Sequence, residues 1–248
     1  MAREPIGVAK PPRRPRARRP RADEAVSGPR VWEDFRPADP RTQISTLTCF
    51  GWLRERGRLE GTDYFEFGIF RGFNLWFVQA FARAMAVMDM RFVGFDSFSG
   101  LPRLEGIDCG GSFARGDFRA SRPEVEAYFT HFGVDWNTTV LVEGLYRTTL
   151  NAATSERYAL RRCALCVVDC DLYASTVPVL SFVRPLLATE SVIFFDDWED
   201  FEGGAARGEP RAFAEFMPDH AAEFSAEAFV DLPPLGGKGK AFVLRRKR

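Results

Sequence analysis

Apolar residues fall along this chain in short unbroken runs, and the sharpest of them stop at acids. Leu165–Tyr173 reads Leu-Cys-Val-Val-Asp-Cys-Asp-Leu-Tyr, and Ser191–Trp198 reads Ser-Val-Ile-Phe-Phe-Asp-Asp-Trp. A continuous run of Val, Ile, Leu and Phe predicts a strand buried on both faces of a parallel sheet. Three further runs have this character: Asp63–Phe67, Phe92–Phe95 ending in Asp96-Ser97, and Thr139–Val142 followed by Glu143-Gly144. Between the runs the period becomes helical. Thr42–Arg58 carries Ile44, Leu47, Phe50, Trp52 and Leu53 and stops at Gly57, and Asn74–Met88 carries Leu75, Val78, Phe81, Ala82 and Met85. Ser121 caps a third helix, with Pro123 and Glu124 in its first turn. Helices are also predicted from Thr176 to Leu187 and near Arg211–Phe216. Glu227–Asp231 and Lys240–Arg245 alternate as a closing antiparallel hairpin around Pro-Pro-Leu-Gly-Gly.

Five strands interleaved with helices, then a hairpin, predict an α/β fold: a doubly wound, mostly parallel sheet with a C-terminal antiparallel hairpin. A dinucleotide-binding dehydrogenase would continue with another β-α-β half. A terminal hairpin is closer to a Rossmann-like class I methyltransferase.

Composition narrows this only in places. The 248 residues suffice for one large core, and Lys+Arg balance Asp+Glu at 34 each, so net charge is silent about partners. Its distribution is not silent. Met1–Arg30 is rich in Arg and Pro and reads as a disordered basic tail preceding one domain over 31–248, and Arg-Arg-Lys-Arg closes the chain. The body is therefore acidic, which argues against a nucleic-acid surface. No run approaches the ~20 apolar residues that span a bilayer, so no membrane segment is expected. The charged amino terminus has no apolar segment behind it, unlike a secretory signal, and Pro-Pro-Arg-Arg-Pro-Arg cannot form the amphipathic helix of a transit peptide. Five cysteines, an odd number, favour a reducing compartment and a cytoplasmic location. Cys163, Cys166 and Cys170 show the reverse of an iron–sulfur loop spacing and read as buried small hydrophobes.

The acids carry the chemistry. If the two opening strands are neighbours, Asp169, Asp171, Asp196 and Asp197 converge at the sheet rim, where open α/β sheets bind ligands. Like charges ~4 Å apart at an effective dielectric of ~20 repel by roughly 4 kcal/mol. The cluster needs a counter-charge or a shared proton, and a divalent cation answers that need. At the first strand-to-helix turn, Glu66-Phe-Gly68-Ile-Phe-Arg-Gly72 does not match GxGxxG, because Phe70 stands where the middle Gly would be. A bulky residue there obstructs a pyrophosphate but tolerates an adenosyl ligand without phosphate. Glu66 can take the ammonium of an amino-acid moiety, and Asp96 both hydroxyls of a ribose. The plain alternatives are a surface acid and a turn cap.

These segments, taken in order, resemble the macrocin-type O-methyltransferases, which methylate sugar hydroxyls of macrolide and aminocoumarin antibiotics. The resemblance runs from about Thr42 to Arg245 through Glu66–Gly72, Gly94–Pro102, Val168–Thr176 and Phe195–Trp198. It implies S-adenosylmethionine as methyl donor, Mg²⁺ dependence, a small hydroxylated acceptor such as a sugar of a glycosylated secondary metabolite, and a homo-oligomer. It assigns Asp169, Asp196 and Asp197 to the metal and Asp171 to the general base. Cofactor contacts fall on Glu66, Gly68, Gly72, Asp96, Ser97 and the adenine loop Gly144–Thr149, including Tyr146. Thr148 departs from the family, where an acid precedes the Thr-Leu of that loop. Competing readings are another acceptor, including RNA, and a non-catalytic adenosyl-binding protein; Phe70 and the hairpin disfavour a nicotinamide oxidoreductase. Tyr173, Ser175 and Thr176 read as a helix start, His131 and His220 as structural or solvated, and Glu199, Asp200 and Glu202 as a solvated loop.

Overall fold

The computed structural model describes residues 32–109, 113–199, 206–229 and 239–247. The basic tail, Asp200, Glu202 and the Pro-Pro-Leu-Gly-Gly turn lie outside the described residues. The apolar runs form five parallel strands: β1 (Thr62–Phe67), β2 (Met90–Asp96), β3 (Thr139–Glu143), β4 (Cys163–Val168) and β5 (Leu187–Phe195). The hairpin strands are β6 (Phe224–Ala228) and β7 (Lys240–Arg246), antiparallel to each other, with β7 antiparallel to β5. The sheet order is β3-β2-β1-β4-β5-β7-β6. The expected fold class is thus the observed one.

Alternate residues of each central strand feed opposite layers, as a pleated strand buried on both faces requires. Tyr64, Leu165, Val167, Val192 and Phe194 point into one core. Phe65, Cys166, Val168, Ile193 and Phe195 point into the other. The first core is closed by α1 (Pro40–Glu55), α2 (Phe73–Ala84) and α3 (Arg122–His131). Short helices α4 (Tyr146–Thr149) and α5 (Ala152–Arg157) follow β3 and were not apparent in the pattern. The second core is closed by α6 (Tyr173–Val183) and α7 (Gly208–Asp219). Cys163, Cys166 and Cys170 are buried free thiols, as expected, and burial raises Cys163 and Cys170 well above the ordinary thiol range.

Helix limits differ from the periodic pattern for identifiable reasons. α2 stops at Ala84 rather than Met88 because Ala86 turns left-handed (φ 58) and Val87 N–H bonds back to the Ala82 carbonyl. α6 starts at Tyr173 and ends at Val183, giving Leu187 to β5 instead of to the helix. α7 starts at Gly208, three residues before Arg211, with Pro210 in its first turn. α1 buries Thr42, Gln43 and Thr46 before Cys49, Phe50 and Leu53, while Ile44 is 42% exposed. Its amino-terminal half faces polar groups at the sheet rim, so the expected apolar stripe through Ile44 gives way to a polar one there.

Candidate active site

Parallel register builds the site. Phe67 pairs with Phe95 on one side and Val168 on the other, and Val168 pairs with Phe195. The next residues of these strands, Asp96, Gly68, Asp169 and Asp196, therefore form one row along the carboxyl edge. The ladder extends one step beyond the strands: Gly68 N–H donates to Phe95 O and Asp169 N–H to Phe67 O, each at 2.9 Å, and Asp196 N–H donates to Val168 O at 3.0 Å. Strand order reverses between β1 and β4, the switch point where doubly wound sheets open a crevice. A cavity of about 1130 Å³ lies there. Its wall contains Glu66, Gly68, Asp96, Ser97, Gly144 and Tyr146 on one side and Asp169, Asp171, Asp196 and Asp197 on the other.

Thr148 and Thr149 of the expected adenine loop lie outside that wall, and so does Gly72. It has φ 81 at the start of α2, and a Cβ there would stand 2.2 Å from the Phe129 ring, so its small size serves packing against α3. Gly68, with φ 86, serves the cavity floor: a Cβ there would lie 1.7 Å from the Asp169 carbonyl oxygen. Only glycine lets the β1 exit cross the β4 exit at that distance.

Glu66 is 1% exposed and is not a surface acid. Its Oε2 accepts from the Tyr64 hydroxyl and, at 3.0 Å, from Asn74 Nδ2. Burial pushes its carboxyl up to about 8, against these hydrogen bonds and with Asp196 and Asp96 adding to the rise. Asp96 is a turn cap that also lines the cavity. Its Oδ2 accepts from Ile69 N (2.9 Å) and Phe70 N (3.1 Å), and its Oδ1 from Phe98 N (2.7 Å). It caps the turns around it and still faces the cavity, since a carboxylate offers about four lone-pair sites. Ser97 is engaged locally, donating to Gly100 O at 2.8 Å. The Tyr146 hydroxyl donates to Phe95 O at 3.0 Å, so its ring forms wall rather than a free donor.

The aspartate side is a buried concentration of like charge. Burial raises Asp169 well above the carboxylate range, with Asp196, Asp171 and Glu209 adding to it. Asp197 is raised likewise, by burial and then by Asp171, Glu209 and Asp169. Thr42 on α1 donates to Asp196 Oδ1 at 2.7 Å. Asp171 is 6% exposed and adopts φ 59, a left-handed backbone that Asp tolerates better than most residues at a cost of roughly 1 kcal/mol. The four aspartates thus share one cavity, as their strand-end positions predict. Among the described residues, however, no group of three or more His, Cys, Asp or Glu side chains stands arranged to hold a metal ion.

Three participants escaped the sequence reading. Glu209, fully buried in the first turn of α7, accepts from Asp197 N at 3.1 Å, and its Oε1 has no hydrogen-bond partner. The signal for it was Gly-Glu-Pro: Pro210 marks a first turn and so places Glu209 at the helix start. Asp108, 4% exposed, accepts from Tyr173 N (2.9 Å) and Ala174 N (3.0 Å), tying the 104–109 segment to the start of α6. Asn74 bridges Glu66 to Gln43 of α1, whose Nε2 donates to its Oδ1 at 3.3 Å. Neither had a readable signal. His131 packs on Phe132 and His220 on Phe216, away from the acids.

Comparison with known proteins places this geometry. The family model described as Macrocin-O-methyltransferase (TylF) matches residues 56–219. An 8-demethyl-8-(2,3-dimethoxy-alpha-L-rhamnosyl)-tetracenomycin-C 4'-O-methyltransferase from Streptomyces olivaceus is 29% identical over 146 residues, 55% of this chain and 52% of the relative. The aligned part thus spans about half that relative's length. Among solved structures, the O-methyltransferase NovP superposes with a TM-score of 0.63 at 20% identity, covering 84% of this chain and 80% of NovP. CalS11, a calicheamicin methyltransferase, gives 0.61 at 24% identity, covering 82% and 79%. At these identities the two structures speak for the fold.

Proposed function

The chain belongs to the macrocin-O-methyltransferase family, and from that premise we propose that it moves a methyl group from S-adenosylmethionine to a sugar hydroxyl of a small molecule. The observation that carries this reading is the single cavity holding Glu66 and Asp96 at one end and the aspartate rim at the other. The first half suits the cofactor: Glu66 for the ammonium of its amino-acid part, Asp96 for its ribose. The similar rhamnosyl-tetracenomycin enzyme acts, by its name, on a sugar-bearing compound, which supports a sugar hydroxyl as acceptor.

The transfer is an in-line displacement. The acceptor oxygen–carbon bond forms as the sulfur–carbon bond breaks, S-adenosylhomocysteine leaves, and the hydroxyl proton goes to a base. Asp171, at the cavity wall beside the rim, is the residue for that proton. Holding donor and acceptor in line can supply roughly 7–11 kcal/mol of the barrier. Glu66, Gly68 and Asp96 at the β1 and β2 ends position the donor for it.

The rim fits a hard divalent cation by its donors. Asp197 Oδ2 and Glu209 Oε1 are buried without hydrogen-bond partners, and neighbouring acids raise Asp169 and Asp197. Mg²⁺ binds through one or two carboxylates and keeps waters, so a closed cage is not required. Asp169, Asp196 and Asp197 would hold it, and it would lower the pKa of a bound hydroxyl.

The test is calorimetry with S-adenosylhomocysteine, followed by transfer of labelled methyl to sugar-bearing acceptors with Mg²⁺ or with EDTA. Binding and transfer are expected in Mg²⁺, with transfer lost in EDTA and reduced ~10²-fold or more in Asp171→Asn, which keeps cofactor affinity. A protein that binds no S-adenosylhomocysteine would sink the reading. Full activity in EDTA would remove the metal from it.

A further inference from the structure

We propose that the acceptor is an anionic, phosphorylated sugar, with its hydroxyls at the aspartate rim and its phosphate among arginines at the cavity mouth. This rests on the methyl-transfer reading and narrows its substrate class. The cavity is electrically two-ended. Glu66 and the aspartates enter its lining at the carboxyl edge of the sheet, whereas Arg36, Arg71, Arg103, Arg115 and Arg119 enter it from the loops around that edge.

Arginines without a carboxylate occur elsewhere, as at Arg54, Arg83 and Arg162, but these donate to backbone carbonyls, whereas those of the wall are gathered on one cavity. At the opposite end of the sheet, arginines are neutralised two to a carboxylate: Arg91 and Arg161 on Asp63, Arg184 and Arg246 on Glu223, Arg58 and Arg245 on Glu190. Among the described residues, Arg36, Arg103, Arg115 and Arg119 hold no carboxylate. The acids beside them are largely engaged. Asp39 is held by Arg41 and the start of α1, which leaves Glu105 and Asp117, whose Oδ2 accepts from Ala114 N at 2.7 Å, against four guanidinium groups. Arg71 supplies a second, independent sign. Its guanidinium lies 4.7 Å from the Phe70 ring centroid, and its Nε is buried in the wall with no hydrogen-bond partner. A buried N–H donor left unpaired costs free energy that an anionic acceptor would recover.

The arginines are also held in place. Leu101 N–H donates to Asp117 O at 2.9 Å and Gly116 N–H to Leu101 O at 3.0 Å, so the segments bearing Arg103 and Arg115 are locked together. A Cβ at Gly100 would lie 2.5 Å from the Gly116 carbonyl oxygen, which shows how tightly they cross. Guanidinium groups gathered around one opening match phosphate oxygens, which they bind as planar forks. A neutral glycoside gains nothing from them. Phe118, 47% exposed on the same segment with its ring edge-on to Phe70, offers a face on which a nucleobase can stack.

The test uses the full chain and two binding probes, inorganic pyrophosphate and uridine diphosphate, titrated by calorimetry in EDTA, with S-adenosylhomocysteine titrated in parallel. Both probes are expected to bind, more weakly as salt rises. Arg103→Ala with Arg115→Ala should weaken them about tenfold or more, taking up to about fivefold for each exposed ion pair, while S-adenosylhomocysteine binding is unchanged. Tighter binding of uridine diphosphate than pyrophosphate, reversed by Phe118→Ala, assigns the nucleoside form; equal binding assigns a simple sugar phosphate. Failure of both probes to bind, with S-adenosylhomocysteine still bound, overturns this proposal and leaves the methyl-transfer reading standing. In transfer assays, equal kcat/KM for a neutral glycoside and its phosphorylated counterpart overturns it as well.

Discussion

Replacing Asp108 by Ala separates the 104–109 segment from the start of α6, the helix that follows the proposed base Asp171. Both carboxylate oxygens accept backbone N–H bonds, from Tyr173 at 2.9 Å and Ala174 at 3.0 Å, in the first turn of α6. Leu172, the residue before that helix, has no side-chain cap of its own, so Asp108 supplies the cap from 65 positions away. Loss of a cap costs ~0.5–2 kcal/mol, and a negative charge at a helix amino terminus adds ~0.3–1 kcal/mol. The sum is about 1–3 kcal/mol, and at ~2–4 °C per kcal/mol for a domain of this size Tm should fall by roughly 2–12 °C. Asp108→Asn keeps one acceptor and should lose about half as much. The functional consequence follows from position: Asp171 holds φ 59 two residues before Tyr173, and its turn is closed by Leu172 N–H on Cys170 O at 2.6 Å. Loosening the start of α6 should lower kcat by about tenfold while S-adenosylhomocysteine affinity stays level. Thermal melts and steady-state kinetics at a temperature well below both melting points measure the two effects separately. An unchanged Tm would refute the capping role, and a lower Tm with wild-type kcat would refute the link from Asp108 to Asp171.

Two buried acids make further predictions. Glu66 is pushed up from 4.5 to about 8 on folding, chiefly by burial, so its contribution to stability is fully present below about 4.5 and is lost as pH rises through about 8. Glu66→Gln should remove that decline, raising stability at pH 8 by about a few kcal/mol and leaving it unchanged near pH 4; a pH profile identical to wild type would count against it. At pH 7 a cofactor ammonium should also displace the Glu66 proton, seen as proton release when calorimetry is repeated in buffers of different ionisation enthalpy. Glu209 is raised by burial and then by Asp196 and Asp171, so it too costs stability as pH rises above its ordinary range. Glu209→Gln retains an acceptor for Asp197 N–H and should raise Tm in EDTA by about 2–10 °C at pH 8, with no gain at pH 4. A lower Tm at pH 8 would show that the charge is compensated within the protein.

The strands were legible because burial on both faces of a parallel sheet selects apolar residues, and the runs Leu165–Val168 and Val192–Phe195 obey that rule. Helix limits were less legible because they depend on backbone turns and on what lies opposite. Nothing in the local pattern shows that Ala86 turns left-handed, or that Thr42 and Gln43 face Asp196 and Asn74 while Ile44 faces solvent. The Asn74 bridge joins residues 31 positions apart, and the Asp196 contact joins residues 154 apart. No periodicity records such pairs.

The acids were legible for a different reason: they follow strand ends, and parallel register carries every strand end to one edge. Asp96, Asp169 and Asp196 needed only that rule. Asp171 needed more, because its left-handed backbone lies past the strand, where geometry is set by the start of α6. Glu209 and Asp108 enter the site from α7 and from the 104–109 segment, so they become visible only once the layers are packed. The arginines of the mouth are the extreme case. In sequence they are a few basic residues among 34 Lys and Arg; their meaning lies in the missing partner, which only folding can show. An acid at a strand end declares its place, whereas a charge on a loop acquires a role from what folding leaves unpaired beside it. By that reasoning the proposed cofactor contacts sit on the part of this site that sequence determines, and the proposed acceptor contacts on the part that packing determines.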